Sequence, residues 1–119
     1  MKPTLDHSIL LDLASETGRC FAVLPPDFAQ KMAHRLRRKF KVTVAKDEIT
    51  ALVNGYVEIY HFGASVLKDC MLPRTDIYAH LQDIDQPKFM GQLTAQFPAE
   101  DIRILDELAG WVIYYEYLR

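Results

Sequence analysis

Glu58 and His61 lie three positions apart, a spacing that places two side chains one turn apart on the same side of a helix. Together with a second E-x-x-H motif and two further glutamates, this spacing builds the di-iron sites of helix bundles. The sequence has no second copy of the motif. Because a metal site needs three or four converging ligands, we expect no metal and no other cofactor.

Cysteine and histidine could also provide nucleophilic chemistry. Cys20 and Cys70 fit neither a C-x-x-C pair nor a zinc pattern, and no histidine belongs to a recognisable nucleophile motif. A disulfide between the two cysteines is possible in principle, but two reduced thiols in a cytosolic protein are the simpler interpretation. The histidines are His7, His34, His61 and His80. The glycines are isolated and form no phosphate-binding loop. We therefore predict that the protein is not an enzyme.

The segment 27–41 has the strongest local charge in the sequence. Its apolar residues recur every four positions from Phe28 to Phe40, which predicts an amphipathic helix. The candidate contact residues on its basic face are Lys31, Arg35, Arg37, Arg38 and Lys41. This face could simply be solvated and partly paired with acidic side chains. It could instead contact an acidic protein surface, nucleic-acid phosphates or an anionic membrane.

The overall charge argues against nucleic acid as the main partner. The formal net charge is −2 and the isoelectric point is about 6.0, whereas nucleic-acid-binding proteins usually have a basic balance. A small nucleic-acid-binding or regulatory module that uses the basic helix 27–41 is therefore the alternative function and not the first prediction.

The C-terminal run 111–118 is apolar on nearly every side. A helix of this kind must be buried on every side, so it either lies at the centre of a bundle or docks onto another chain. These residue types also suit a terminal strand. Tryptophan and tyrosine are enriched at the energetic centres of protein interfaces. The candidate protein-binding residues are Trp111, Tyr114, Tyr115 and Tyr117.

Helical spacing and helix-boundary residues predict most of the elements that would position these side chains. The predicted helices cover 5–17, the segment from Pro25 to Lys41, 64–71, 76–82 with Thr75 as its cap, 88–96, and a last helix that Pro98 opens. The apolar run 20–24 is either a buried strand or an extended link.

The stretch 42–67 is ambiguous between helix and hairpin. Asn54-Gly55 between β-branched and aromatic residues is a strong hairpin signal, and glycine within a helix costs about 1 kcal/mol relative to alanine. As a helix, however, the stretch places Thr50, Asn54 and Glu58 on one polar face and its apolar residues on the other. We favour the helix, with a small antiparallel sheet or hairpin around residues 42–62 as the alternative.

An internal similarity links this stretch to the C-terminal segment. The spacing of Ile49, Gly55 and Tyr60 repeats at Ile104, Gly110 and Tyr115. Chance is the simpler explanation, but the similarity suggests that both segments share one type of secondary structure. If both are helices, their glycines could let two backbones approach closely.

Size and composition complete the sequence-based prediction. The 119 residues, half of them apolar, suit a single globular domain over 1–119. We predict a mainly α, compact bundle of five or six helices, or an α+β fold if a small sheet forms. The start of the sequence does not resemble a signal peptide, and no apolar run could span a membrane, so we expect a cytoplasmic protein. The predicted function is a small interaction protein that binds another protein or a second copy of itself: an adaptor, a chaperone, an immunity or inhibitor protein, or a subunit of a larger complex.

Overall fold

The computed structural model describes residues 5–20, 23–73 and 77–118, and these contain five α-helices. The helices are α1 (His7–Arg19), α2 (Phe28–Phe40), α3 (Lys46–Val66), α4 (Gln86–Gln96) and α5 (Ile102–Ile113). The short helices are two 3₁₀ helices, Leu67–Cys70 and Leu81–Asp83, and a π-helical turn, Tyr114–Leu118, that continues α5. These residues form no β-strand, so the predicted mainly α bundle is confirmed.

Aspartate side chains begin three of the helices. Asp6 accepts a hydrogen bond from the backbone N–H of Ser8, Asp85 from that of Lys88, and Asp101 from that of Arg103. Each bond satisfies an N–H group that has no partner within its helix. The sequence therefore fixes the start of α1, α4 and α5 by the same local device.

Residues 46–66 form the long helix α3, and the hairpin alternative is wrong. Asn54 and Gly55 lie within the helix, with Asn54 exposed. The buried side of α3 carries Ile49, Val53, Tyr56, Ile59 and Tyr60. Burial of several large apolar side chains contributes more than the helical cost of one glycine, since each is worth about 1.5–3 kcal/mol.

α5 is the central helix of the bundle. It packs against α1, α3 and α4, while α2 packs mainly on α3. Its buried residues are Ile104, Leu105, Leu108, Ala109, Val112 and Ile113. Of the C-terminal run 111–118, Val112 and Ile113 are buried at the centre of the bundle, whereas no residue of Tyr114–Leu118 is buried. The alternative of a terminal strand is wrong, and docking of the exposed part onto another chain stays a prediction.

The segment 71–84 departs from the prediction. Residues 77–80 are not helical, and only Leu81–Asp83 forms a 3₁₀ helix, so the predicted helix 76–82 is wrong where it can be compared. Thr75 and Asp76 lie outside the described residues. Instead, Met71 and Ile84 form an isolated antiparallel bridge. The backbone N–H of Leu72 donates to the carbonyl oxygen of Asp83, and that of Asp85 donates to the carbonyl oxygen of Cys70, each at 2.7 Å.

Two further boundaries differ in detail. Of the predicted helix 64–71, residues 64–66 form the end of α3, Leu67–Cys70 form a 3₁₀ helix, and Met71 is not helical. In the run 20–24, Cys20, Val23 and Leu24 are not in a strand, while Phe21 and Ala22 lie outside the described residues. Both cysteines are free thiols.

The close contacts between helices use other glycines than those predicted. A Cβ added to Gly55 or Gly110 would meet nothing within 4 Å. A Cβ added to Gly18 would lie only 2.6 Å from Trp111 Cγ and 2.9 Å from Trp111 Cβ. Gly18, on α1, therefore permits the close packing of α1 against α5. The prediction of close approach at Gly55 and Gly110 is wrong, although both do lie in helices as the internal similarity suggested.

Candidate functional site

Three of the four predicted aromatic residues form one cluster at the end of α5. The Trp111 and Tyr115 rings stack with centroids 5.7 Å apart and planes 21° apart. Tyr114 meets both rings edge to face, with its centroid 6.2 Å from that of Trp111 and 5.1 Å from that of Tyr115. The Arg19 guanidinium carbon lies 5.9 Å from the Trp111 ring centroid, within cation–π range.

Hydrogen bonds hold two of these rings in place. Trp111 Nε1 donates to Glu107 Oε1 at 3.1 Å, one turn earlier on α5. The Tyr115 hydroxyl donates to the backbone oxygen of Arg19 at 2.7 Å, which links the π-helical turn to the end of α1. The cluster is therefore preorganised, whereas Tyr114 remains 47% exposed.

Tyr117 turns away from the cluster and anchors the end of the chain. Its hydroxyl donates to Oδ2 of Asp83, a buried carboxylate that also accepts from the backbone N–H of His80 at 2.9 Å. A second bond reaches the π-helical turn from α3, where the Tyr60 hydroxyl donates to Glu116 Oε1 at 3.3 Å. Tyr117 thus supports the predicted binding residues but does not line the groove beside them.

A groove of about 840 Å³ opens beside the aromatic cluster, between the first turns of α4 and the outer face of α5. Its apolar walls consist of Leu81, Phe89, Met90, Ala109, Trp111, Ile113, Tyr114, Tyr115 and Leu118. Phe89 is 1% exposed and forms part of the floor, while Leu81 is 49% and Leu118 37% exposed at the rim. We call this feature the α4–α5 groove.

Gly110 leaves a gap in the wall of the α4–α5 groove. It lines the groove, it is exposed, and no atom lies within 4 Å of the position that its Cβ would occupy. The lining residues extend along α5 from Asp106 to Tyr114, about 12 Å of helix axis, and continue into the π-helical turn. A partner backbone could therefore approach α5 closely at the middle of the groove.

The charged groups of the groove are unevenly distributed. Asp106 and Glu107 line it on α5, and the exposed Asp106 carboxylate has no hydrogen bond or ion pair with the described residues. Arg19, the one basic residue among the described lining residues, lies over the Trp111 ring and 3.9 Å from Glu16. The carboxylate of Asp106 is therefore the charge most available to a ligand.

The basic face of α2 is partly neutralised within the fold. Arg35 makes a bidentate contact with Asp12 of α1, with Nε at 2.8 Å from Oδ2 and Nη2 at 3.0 Å from Oδ1. Lys39 Nζ lies 3.0 Å from Asp12 Oδ1, and Lys31 Nζ lies 3.4 Å from Asp27 Oδ2. Arg35 and Lys31 thus serve contacts within the chain.

The remaining predicted basic residues lie near the end of α2. Arg37, Arg38 and Lys41 are exposed and make no ion pair with the described part of the chain. Arg37 also lines a small pocket of about 250 Å³ with His34 and Lys46. Sequence reasoning identified the basic side chains of α2 but not which of them the fold leaves unpaired.

The Asp12 carboxylate holds α2 against α1. Its hydrogen bond from Arg35, and secondarily that from Lys39, keeps the pKa of Asp12 below its ordinary value despite burial. The pKa of the Arg35 guanidinium is raised by the same hydrogen bond. The predicted solvated face of α2 therefore contains structural contacts with α1, from Arg35 to Asp12 and Glu16 and from Lys39 to Asp12.

The candidate groups for chemistry are the two thiols and the Glu58–His61 pair. Burial raises the pKa of the Cys20 and Cys70 thiols, whereas a thiolate nucleophile needs a lowered pKa. Across residues 5–20, 23–73 and 77–118, no three His, Cys, Asp or Glu side chains converge as a metal site would require. Glu58 and His61 are both exposed on α3.

None of the described helices is long and apolar enough to cross a membrane.

The sequence pattern indicated the aromatic side of the groove on α5 but not its α4 side. The α4 wall, Leu81 and the open position at Gly110 were not among the predicted site residues. Phe89 and Met90 carry the same helical pattern as ordinary core residues, and nothing in their spacing indicates that Met90 faces α5 across an open space. Comparison with known proteins adds no further assignment, since no protein-family model, curated protein or solved structure matches the chain.

Proposed function

We propose that this protein is a small interaction protein that binds a helical segment of another protein in the α4–α5 groove. One observation carries the proposal: a preorganised aromatic and apolar groove whose wall is open at Gly110. Tryptophan and tyrosine provide large contact areas at interfaces with little loss of side-chain freedom. An adaptor, a chaperone, an immunity or inhibitor protein, and a subunit of a larger complex would all use such a groove.

The shape of the groove favours a protein segment over a small molecule. Small-molecule sites enclose most of the ligand surface. Here the rim residues Tyr114 and Leu81 are about half exposed, so the groove is open along its side. An open groove at least two helical turns long is typical of the helix-in-groove mode of recognition.

The same shape favours a different protein over a second copy of this chain. A symmetric dimer places one surface patch against the identical patch of its partner. Two concave grooves placed face to face would leave the space beside Gly110 unfilled. A convex element is needed to fill it, and α1–α5 already bury their main apolar faces in the core.

The basic end of α2 is a second candidate surface. Its support is that Arg37, Arg38 and Lys41 have no ion-pair partner among the described residues. Three such charges can contact phosphates, but the acidic overall balance opposes nucleic acid as the main partner. The nucleic-acid alternative therefore ranks second.

Two matched glycine substitutions test the proposal. Gly110→Gln places a side chain in the groove, whereas Gly91→Gln places the same side chain on α4 outside it. Both glycines are exposed, helical and free of neighbours around the added Cβ, so both variants should fold and gain about 0.5 kcal/mol of helix propensity. The experiment is affinity capture of partners from the cell that makes the protein, followed by mass spectrometry.

We expect the wild type and Gly91→Gln to capture the same partner and Gly110→Gln to lose most of it, by about tenfold or more if the groove carries the main contact. Circular dichroism and thermal unfolding of the three proteins verify that each is folded. A partner captured equally by all three would contradict the proposal. Loss of the partner only on Arg37→Ala with Arg38→Ala would favour the basic end of α2 instead.

A further inference from the structure

We infer that the helix bound in the α4–α5 groove is amphipathic and basic, with a lysine or arginine beside Asp106 and a small residue opposite Gly110. The inference rests on the proposed function and specifies the chemistry of the partner. Its first observation is the charge of the groove, and its second is the shape of the wall at Gly110.

The available charge at the groove is negative. The Asp106 carboxylate is exposed and makes no ion pair or hydrogen bond with the described residues, while Glu107 accepts the Trp111 indole N–H. Arg19 is already held over the Trp111 ring. A basic side chain on the ligand would therefore find an unpaired carboxylate, whereas an acidic one would meet only repulsion there.

The charge distribution of α5 and its ends reinforces this preference. The segment 100–116 contains five acidic residues and one basic residue, Arg103. The acidic residues are Glu100, Asp101, Asp106, Glu107 and Glu116. Asp101 lies 3.3 Å from His7, and Glu116 accepts a hydrogen bond from Tyr60, so both already have partners within the chain. Asp106 is the acidic group that the fold leaves for a ligand at the groove.

The wall of the groove determines where the ligand helix can approach most closely. Tyr114 lies one turn after Gly110 on α5, and Asp106 lies one turn before it, so the three share one face. A small residue on the ligand would fit at Gly110, because two helices pack closely where one lacks a side chain. Larger apolar residues one turn away would contact Tyr114 and the Leu81 rim.

Two synthetic peptides test the charge preference. Each is a helix of about 18 residues with leucines at i, i+3, i+4 and i+7 and an alanine within that stripe. The first peptide has lysine on its polar face, and the second has glutamate at the same positions. Neither contains tryptophan, so the emission of Trp111, the single tryptophan of the chain, reports binding directly.

We expect the lysine peptide to bind the wild type about fivefold or more tightly than the glutamate peptide, the range for one rim ion pair and one repulsion. Asp106→Lys should reverse the order, so that the glutamate peptide binds more tightly. Gly110→Gln should abolish the binding of both peptides, and Gly91→Gln should leave it unchanged.

The outcomes separate the inference from the proposed function. Equal binding of the two peptides, with loss only in Gly110→Gln, would overturn the charge preference and leave the groove as a protein-binding site. An order that Asp106→Lys does not reverse would likewise overturn the inference. Binding that Gly110→Gln does not affect, or no binding of either peptide, would overturn both.

Discussion

At the scale of single residues, Gly18 determines how Trp111 sits. The Trp111 side chain occupies the space that a Cβ at Gly18 would need, and the contact includes Trp111 Cβ, which cannot move without the backbone of α5. The absence of one methyl group on α1 thus positions the largest ring of the α4–α5 groove. This contact between distant positions leaves no pattern in a single sequence. The repeated spacing around Gly55 and Gly110, by contrast, is visible in the sequence but marks no close contact.

We predict that Gly18→Ala lowers the free energy of unfolding by about 1–3 kcal/mol, the usual cost of overpacking. It should also shift the emission of Trp111, because the ring must move relative to Arg19 and Tyr115. Chemical denaturation followed by tryptophan fluorescence measures both effects. The matched control is Gly55→Ala on α3, where the added methyl meets nothing and helix propensity should add about 0.5–1 kcal/mol. A neutral Gly18→Ala would contradict the assigned packing of Trp111.

Asp12, like Gly18, has a role that depends on tertiary structure. The helical pattern places Arg35 on the basic surface of α2, but the fold brings it to Asp12, 23 positions earlier, where it forms a structural contact between α1 and α2. The periodicity of the two helices predicts which face is polar. It does not predict which polar side chains of the two helices meet.

We predict that Asp12→Asn destabilises the protein by about 1–2 kcal/mol at neutral pH, as expected for a charge-assisted hydrogen bond at a partly buried site. Because the pKa of Asp12 is lowered from 3.8 in the fold, its contribution is fully present above that value and is lost as the pH falls through the folded pKa. Urea denaturation at neutral pH and at acidic pH, below about 4, should therefore show a difference between wild type and variant that shrinks with acidity. Asp27→Asn, which removes an exposed i,i+4 pair with Lys31, should cost about 0.5 kcal/mol or less. A pH-independent difference would refute the role of the carboxylate.

At the scale of elements, packing determined the outcome where local preferences conflicted. The hairpin signal at Asn54-Gly55 is local, and it is outweighed because helix α3 buries a continuous apolar face against α1, α2 and α5. The opposite happened in the predicted helix 76–82, where helical spacing was present but the described residues 77–80 are not helical and Met71 forms an antiparallel bridge with Ile84. Both outcomes depend on which residues pack against the segment in the folded chain, and the spacing of apolar residues along the sequence does not identify those residues.

The π-helical turn is an element whose conformation depends on side-chain anchors. Three hydroxyl groups secure it, those of Tyr60, Tyr115 and Tyr117, and two of these bonds reach carboxylates. The sequence indicated the aromatic content of this turn but gave no sign that Tyr117 reaches Asp83. The anchors place Tyr114 and Tyr115 at the groove.

We predict that Tyr117→Phe lowers the free energy of unfolding by about 1–3 kcal/mol, because the buried Asp83 loses a hydrogen-bond donor. Hydrogen exchange should accelerate in 114–118 more than in α3. Tyr114→Phe is the control, since its hydroxyl has no hydrogen bond to the described residues, and its effect on stability should stay within about 0.5 kcal/mol. Equal effects of the two substitutions would argue against the anchor.

At the scale of the whole molecule, the α4–α5 groove is a product of assembly. Its walls come from α4, α5, the end of α1 and the 3₁₀ helix at Leu81, which are far apart in the chain. The sequence predicted the aromatic side of the groove, because a helix that is apolar all round needs more burial than a small domain usually offers. It could not predict the α4 side, since Phe89 and Met90 have the pattern of any core helix.

Charge is also organised at this scale. The end of α2 carries Arg37, Arg38 and Lys41, which have no ion pair with the described residues, whereas the segment 100–116 is acidic, with Asp106 available at the groove. The net charge of −2 conceals this separation. The two surfaces therefore suit partners of opposite charge.

The central claim is that the α4–α5 groove is a protein-binding site, and its most direct test is the amount of partner that Gly110→Gln captures relative to Gly91→Gln. Both variants add one glutamine side chain at an exposed, open helical position and should fold alike, so the ratio isolates occupation of the groove. We predict a ratio of about one tenth or lower, with Gly91→Gln equal to the wild type. A ratio near one for every captured protein would contradict the account.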